Sequence, residues 1–274
     1  MDARGGGVYA MTLRPLDKWP ARLVAPLLSV PLALIPVSGE QPLLGSPVTQ
    51  IGEHGDRSTC GRFHAPAWSQ RIVMVAPEQA QQLPSIVAGA EPGTTILLKD
   101  GIYHIRKEPL LFSQPSVTLR SYSGKRSTVI LDGGQYEAEA VVAIRAKEIS
   151  IADLTIRHAR RHPVHISGGG HDAMLYNLHV IDGGRQFIKV NPSSDGSLND
   201  RGTLACSRLE LTAAGRAYVE ANPAGGLRCY TGGIDAHQAW GWVVRDNAFE
   251  GFYCLNGGLA EHAIHFWVFG DSCG

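Results

Sequence analysis

The stretch PVHISGGGHDAMLYNLHVIDGGRQFIKV, residues 163–190, holds two tripeptides of one design, Val164-His165-Ile166 and Ile188-Lys189-Val190. Each sets a titratable residue between two β-branched ones, and the interval from 165 to 189 is 24 residues. Alternate side chains of a strand point to opposite faces, so with Val164 and Ile166 turned inward His165 turns outward, and Lys189 does the same. If 24 residues is the pitch of a coil, the two outward groups are stacked neighbours about 4.8 Å apart.

The interval recurs. IADLTI at 151–156 aligns with LYNLHV at 175–180, again 24 residues on, then with CSRLEL at 206–211 and VRDNAF at 244–249, each block apolar at its first and sixth positions. The later intervals are longer and ask for insertions, for which PSSDGSLNDRG (192–202) and YVEANPAGGLR (218–228) have the turn composition. The β runs are short and bounded by Gly, Asn, Asp or Ser, which leaves no room for the crossover helices of a doubly wound sheet. The LxxLxLxxN pattern of leucine-rich repeats is absent. The expected fold is all-β: a right-handed single-stranded parallel β-helix, capped at its start by a short helix over 78–90, with no long helix after residue 90.

The 274 residues carry 25 basic and 25 acidic side chains, so no net cationic field gathers phosphates, and nucleic acid is not an expected partner. Arg14, Lys18 and Arg22 precede the apolar run LVAPLLSVPLALIPVSG, the order of a secretory signal, the alternative being a disordered Pro-rich leader. Pro26, Pro31 and Pro36 interrupt that run, so no transmembrane span is expected. The division read from the chain is an over-extended start and signal peptide at 1–39, a Gly- and Pro-rich linker at 40–76 and a β-helix domain at 77–274, in a secreted or periplasmic protein. None of the five cysteines forms a CxxC knuckle. Cys229 and Cys254 lie about one rung apart beside loop sequence and are expected to be neighbours and bonded, whereas Cys206 reads as an inward residue of its block.

PGTTILLKDGIYHI, followed by SVTLRSYSGKRSTVILDGG and IRAKEISIADLTIRHA, resembles the opening rungs of right-handed parallel β-helix proteins of the pectin-lyase-like superfamily, over residues 77–267. CYTGGIDAHQAWGWVVRDNAF and LAEHAIHFW resemble an exported bacterial group with that fold. The superfamily includes polysaccharide lyases, glycoside hydrolases and phage or adhesin shafts, so the resemblance implies a polysaccharide partner. A lyase acting on uronate-containing glycans by proton abstraction and β-elimination is the expected activity; the alternative is a non-catalytic glycan-binding or envelope module.

Ile234-Asp235-Ala236 and Ile264-His265-Phe266 repeat the tripeptide form, which gives an exposed column His165, Lys189, Asp235, His265 as the catalytic candidates. Lys189 is the expected base, with His165 or His265 as acid. His237 and His262 flank the column, Arg185 with Arg160 and Arg161 offers guanidinium groups for sugar carboxylates, and Trp240 and Trp242 offer rings for sugars. Phe249 and Phe266 are assigned to the core; His158, His162, His171 and His179 are read as solvated. Being exposed, His165 and Lys189 are expected to tolerate alanine with little change in thermal midpoint. The column has one carboxylate, which argues against two-carboxylate hydrolysis. No metal or cofactor is expected, calcium being the one ion left open. The closing VFGDSCG is too short to cover a final rung, so the chain is expected to be incomplete at its C-terminus and prone to aggregate, a longer form being monomeric.

Overall fold

The structure, a computed structural model, describes residues 60–192, 196 and 198–267. The signal reading, the first part of the linker, and the closing VFGDSCG with Cys273 lie outside the described residues. An incomplete turn of chain opens the coil: β1 (Arg71–Val75), a 3-10 turn (Pro77–Gln79) and helix α1 (Leu83–Ala88). Six three-strand rungs follow. They are β2 (Thr94–Leu98), β3 (Gly101–His104) and β4 (Leu110–Phe112); β5 (Thr118–Ser121), β6 (Val129–Asp132) and β7 (Ala140–Ile144); and β8 (Ser150–Ala152), β9 (Thr155–Arg157) and β10 (His162–Ile166). Then come β11 (Met174–Tyr176), β12 (His179–Ile181) and β13 (Ile188–Val190); β14 (Thr203–Ala205), β15 (Arg208–Glu210), an inserted helix α2 (Ala213–Ala221) and β16 (Gly232–His237); and β17 (Val243–Arg245), β18 (Ala248–Glu250) and β19 (His262–Trp267).

First strands of successive rungs, with β1, pair into a seven-stranded sheet, and the second and third strands each form a six-stranded one. Pairing is parallel along all three, as between β8 and β11, β9 and β12, and β10 and β13. The chain is therefore a parallel β-helix, and the crossover rule for parallel strands gives the coil its right hand. Helix α1 takes the place of a third strand in the opening turn. Its Leu83 and Val87, four residues apart and so on one face, are buried, and it packs on β4, closing an end where apolar side chains would meet water.

The rungs turn at fixed corners. Asp153, Asn177, Cys206 and Asp246, each directly after a first-sheet strand, have φ of 57°, 50°, 56° and 56°. Asn and Asp tolerate this left-handed conformation better than other L residues, which explains three of the four. The fourth corrects the reading of Cys206 as inward: it stands at a corner and is bonded to Cys60, with the Cα atoms 5.7 Å apart. The block containing it was also displaced by two residues, since Leu204 is the register partner of both Leu175 and Val244. A shift of two preserves the inward and outward sense along a strand, so Leu211, the sixth residue of the block, is still buried although Cys206 falls at the corner.

Residues 60–75 are not linker. Cys60 is tied to the fifth rung, the Tyr176 hydroxyl donates to the Gly61 carbonyl at 2.7 Å, and Phe63 is buried with the Arg120 guanidinium 5.2 Å from its ring centroid. The segment runs back along the outside of the first sheet until β1 joins it in register with β2. A strap of this kind has no period to betray it. The second unexpected element is α2. The Thr212 hydroxyl accepts from the Gly215 N–H at 3.2 Å, and Asp182 fixes Thr212 by accepting from its N–H at 2.8 Å and its hydroxyl at 2.7 Å. The helix lies within an insertion, so the rung order is unchanged.

On the third sheet Val142, Val164, Ile188 and Ile234 stack inward beside Ile144, Ile166, Val190 and Ala236, all fully buried. Their last partners, Ile264 and Phe266, are 49 % and 39 % exposed. Phe266 is thus not a core residue as expected, because its rung is the last one described, whereas Phe249 packs partly buried against the core. If inward stacking carries stability, Leu175→Ala, at a fully buried position, is expected to cost about 2–5 kcal/mol in urea unfolding. Leu259→Ala, at a position 91 % exposed, should stay within about 0.5 kcal/mol.

Candidate functional site

Register brings the outward column together: His165 opposes Lys189, Lys189 opposes Asp235, and Asp235 opposes His265. The column is less exposed than its outward sense implied. Lys189 is 8 % and Asp235 5 % accessible, each packed against the other and against His237. The Lys189 ammonium donates to Asp235 Oδ2 and lies 3.1 Å from His237 Nε2. His237 Nε2 and His265 Nδ1 are each 3.0 Å from the other carboxylate oxygen, Oδ1. Burial pushes the Asp235 carboxyl up, but the hydrogen bond and charge of Lys189, with His237 and His265 adding, outweigh it and hold the group below the usual carboxylate range. His262 stacks on His265 with centroids 4.3 Å apart, and Trp267 meets His237 edge-on at 5.4 Å.

Toward the earlier rungs the same face opens into a groove of 320 Å³, lined among others by Arg161, His162, His165, Arg185, Lys189 and Tyr230. The groove has three cations against one carboxylate, Glu139, which lies 3.6 Å from Arg161 and also pairs with Arg160. Arg185 has neither an ion pair nor a side-chain hydrogen bond among the described residues, and burial and the charge of Arg161 both lower its pKa. His165 Nε2 faces Asn191 Oδ1 at 3.3 Å, so that nitrogen donates and Nδ1 is left basic. Burial first, then the charges of Arg145, Arg161 and Lys189, depress His165 despite that hydrogen bond, so its imidazole is neutral at pH 7.

His162 was read as solvated and is instead 8 % accessible on the groove wall, its Nδ1–H donating to the Gln186 carbonyl at 2.8 Å. Strand parity was the available signal, since position 162 shares the inward sense of 164 and 166. The tryptophans are not brought to the groove. Trp242 donates its indole N–H to the Asn199 carbonyl at 2.7 Å and packs over Gly202, where an added Cβ would fall 2.3 Å from the ring; Trp240 caps Asp200 through its backbone N–H at 2.9 Å. His237 and His262 join the Asp235 end, and Arg185 the groove. Cys229 and Cys254 form a disulfide beside the α2 insertion, with Cα atoms 5.8 Å apart.

Two measurements follow. Lys189→Ala removes the partner of Asp235 Oδ2 and leaves the buried carboxylate with His237 and His265 on Oδ1 alone, so the thermal midpoint should fall, the opposite of the outcome expected for an exposed residue, with a cost of up to about 3–5 kcal/mol. The double variant Lys189→Met with Asp235→Leu should recover most of that loss. His162 has its pKa pushed down from 6.5 to about 3 by burial, so the unfolded chain binds the extra proton between those values. Its contribution is complete above pH 6.5 and is lost as pH falls toward 3, and His162→Asn should flatten the slope of stability against pH by up to about 1.4 kcal/mol per pH unit.

No family model and no curated protein matches the chain. Among solved structures, it is similar to an alginate lyase from Paenibacillus sp. str. FPU-7 at 16 % identity and a TM-score of 0.48, over 72 % of this chain and 74 % of that one. It is also similar to a rhamnogalacturonan lyase at 10 % identity and 0.45, over 73 % of this chain and 63 % of that one. A mannuronic acid specific polysaccharide family 6 lyase from human gut microbiota matches at 12 % identity and 0.40, over 73 % of this chain and 52 % of that one.

Proposed function

We propose that the third-sheet groove binds a uronate-containing polysaccharide and cleaves it by β-elimination. The observation that carries this reading is the Arg185 guanidinium, without a carboxylate partner among the described residues, beside the neutral imidazole of His165 and the ammonium of Lys189. β-Elimination at a uronate removes the proton α to the carboxyl group and expels the glycosidic oxygen at C4, so it needs a carboxylate neutraliser, a base and a proton donor. Arg185, with Arg161 at the rim, neutralises the substrate carboxylate and makes the C5 proton acidic. His165 Nδ1 takes that proton. Lys189, oriented by its hydrogen bond to Asp235, gives a proton to the departing oxygen. These roles invert the first assignment of base and acid, because a lysine paired with a carboxylate is a donor and a neutral histidine is an acceptor.

Base and donor stand on neighbouring rungs of one face. That placement suits substrates whose C5 hydrogen and C4 oxygen lie on the same side of the sugar ring, as in uronates of manno or gluco configuration. The two disulfides support an oxidising compartment, in keeping with the export reading of the leader.

The test is ultraviolet absorbance of the unsaturated product on a panel of uronate glycans, with manno- and gluco-configured substrates expected to be cleaved faster than those with the two groups on opposite faces. His165→Ala should lower kcat by about 10²–10⁴-fold. Arg185→Ala should raise KM by about ten- to a hundredfold, the loss of a charged hydrogen bond. The acid limb of kcat/KM should lie below the ordinary histidine value of 6.5, since His165 is depressed. Binding without product on every glycan would sink the lyase reading in favour of a glycan-binding module.

A further inference from the structure

We infer that Asp235, His237 and His265 form a site for one divalent first-row transition-metal ion of the zinc class, on the outer face of the third sheet at the end of the groove. Asp235 and His237 are two residues apart on β16 and so project from one face, and His265 is the register partner of Asp235 on β19. Their ligand atoms all lie within 4.8 Å of one another, and both imidazole nitrogens are 3.0 Å from the same carboxylate oxygen. An ion bonded at about 2.0–2.2 Å to each of three ligands needs its donor atoms roughly 3.0–3.6 Å apart, so the two measured separations already suit it.

Among the described residues, His237 Nε2 has two close neighbours that ask opposite roles of it. His237 Nε2 is 3.0 Å from Asp235 Oδ1 and 3.1 Å from the Lys189 ammonium. One imidazole nitrogen either donates, which suits the carboxylate, or accepts, which suits the ammonium, and cannot do both. A metal ion would take the lone pair of that nitrogen and meet Oδ1, leaving the ammonium its hydrogen bond to Oδ2. Lys189 on Oδ2 then acts as the hydrogen-bonding partner that orients a ligating carboxylate.

The donor set selects the ion. Two imidazoles and one carboxylate oxygen suit zinc and its neighbours, whereas calcium takes six to eight oxygens, so the calcium left open by the sequence does not fit this cluster. Three protein ligands leave at least one coordination position for water or a substrate oxygen. The inference stands apart from the lyase reading, because either can fail without the other.

The experiment uses the full chain without an affinity tag, stripped with a chelator and titrated with Co²⁺ under visible spectroscopy. One equivalent of Co²⁺ should give visible bands, Zn²⁺ should displace it, and Ca²⁺ should not. His237→Ala and His265→Ala should each weaken Co²⁺ binding by about a hundredfold or more and abolish the rise in thermal midpoint that Zn²⁺ gives the parent chain. Where an alanine variant does not fold by circular dichroism, His237→Gln or His265→Gln takes its place with the same expectation. Absence of saturable Co²⁺ binding, or binding unchanged in both variants, overturns the site.

Discussion

The structure depends on the in-register stacking of parallel strands. Each rung satisfies its backbone groups on the rungs before and after it, so residues one turn apart in the chain become neighbours at about 4.8 Å. Two consequences follow from that single constraint. Inward positions must be apolar along a whole column, as Val142, Val164, Ile188 and Ile234 are, because one polar member would be walled in by the next rung. Outward positions carry no such demand, and there Ala143, His165, Lys189, Asp235 and His265 form a column whose members differ in charge and size.

That column was legible from three-residue patterns because the side-chain period of a strand is exact. An apolar-polar-apolar tripeptide states its own facing, and the insertions between rungs change the spacing of the tripeptides without altering their sense. The same exactness explains why displacing the CSRLEL block by two residues did no harm to the facing while misplacing Cys206. What was not legible was depth. Outward is a direction, and whether an outward side chain meets water depends on the side chains that close around it. Lys189 and Asp235 point outward and are nevertheless buried, in contact with each other and with His237.

The elements that sequence reading missed have a common physical character. The strap from Cys60 to Gln70 and the helix α2 are held by unique contacts: a disulfide, a buried Phe63 under Arg120, and an Asp182 that fixes the Thr212 cap. None is periodic, and periodicity was the only instrument that could see the rest. His162 belongs with them for a related reason. Its parity marked it as inward, but it stands at the start of β10, where the strand meets a corner, and an inward residue at a corner reaches the groove wall instead of the core.

Asp235 joins the two parts of the site. One carboxylate oxygen holds Lys189, which lines the groove, and the other faces His237 and His265. Groups on the two sides therefore act on one another through a single carboxylate. A carboxylate shared in this way makes the effects of substitutions on its two sides non-additive, since removing either partner changes the charge the other experiences. The coil supplies this coupling at no cost in added structure. Residues on adjacent rungs of one face are in contact by construction, and a charged column in a parallel β-helix therefore behaves as one electrostatic unit with several faces.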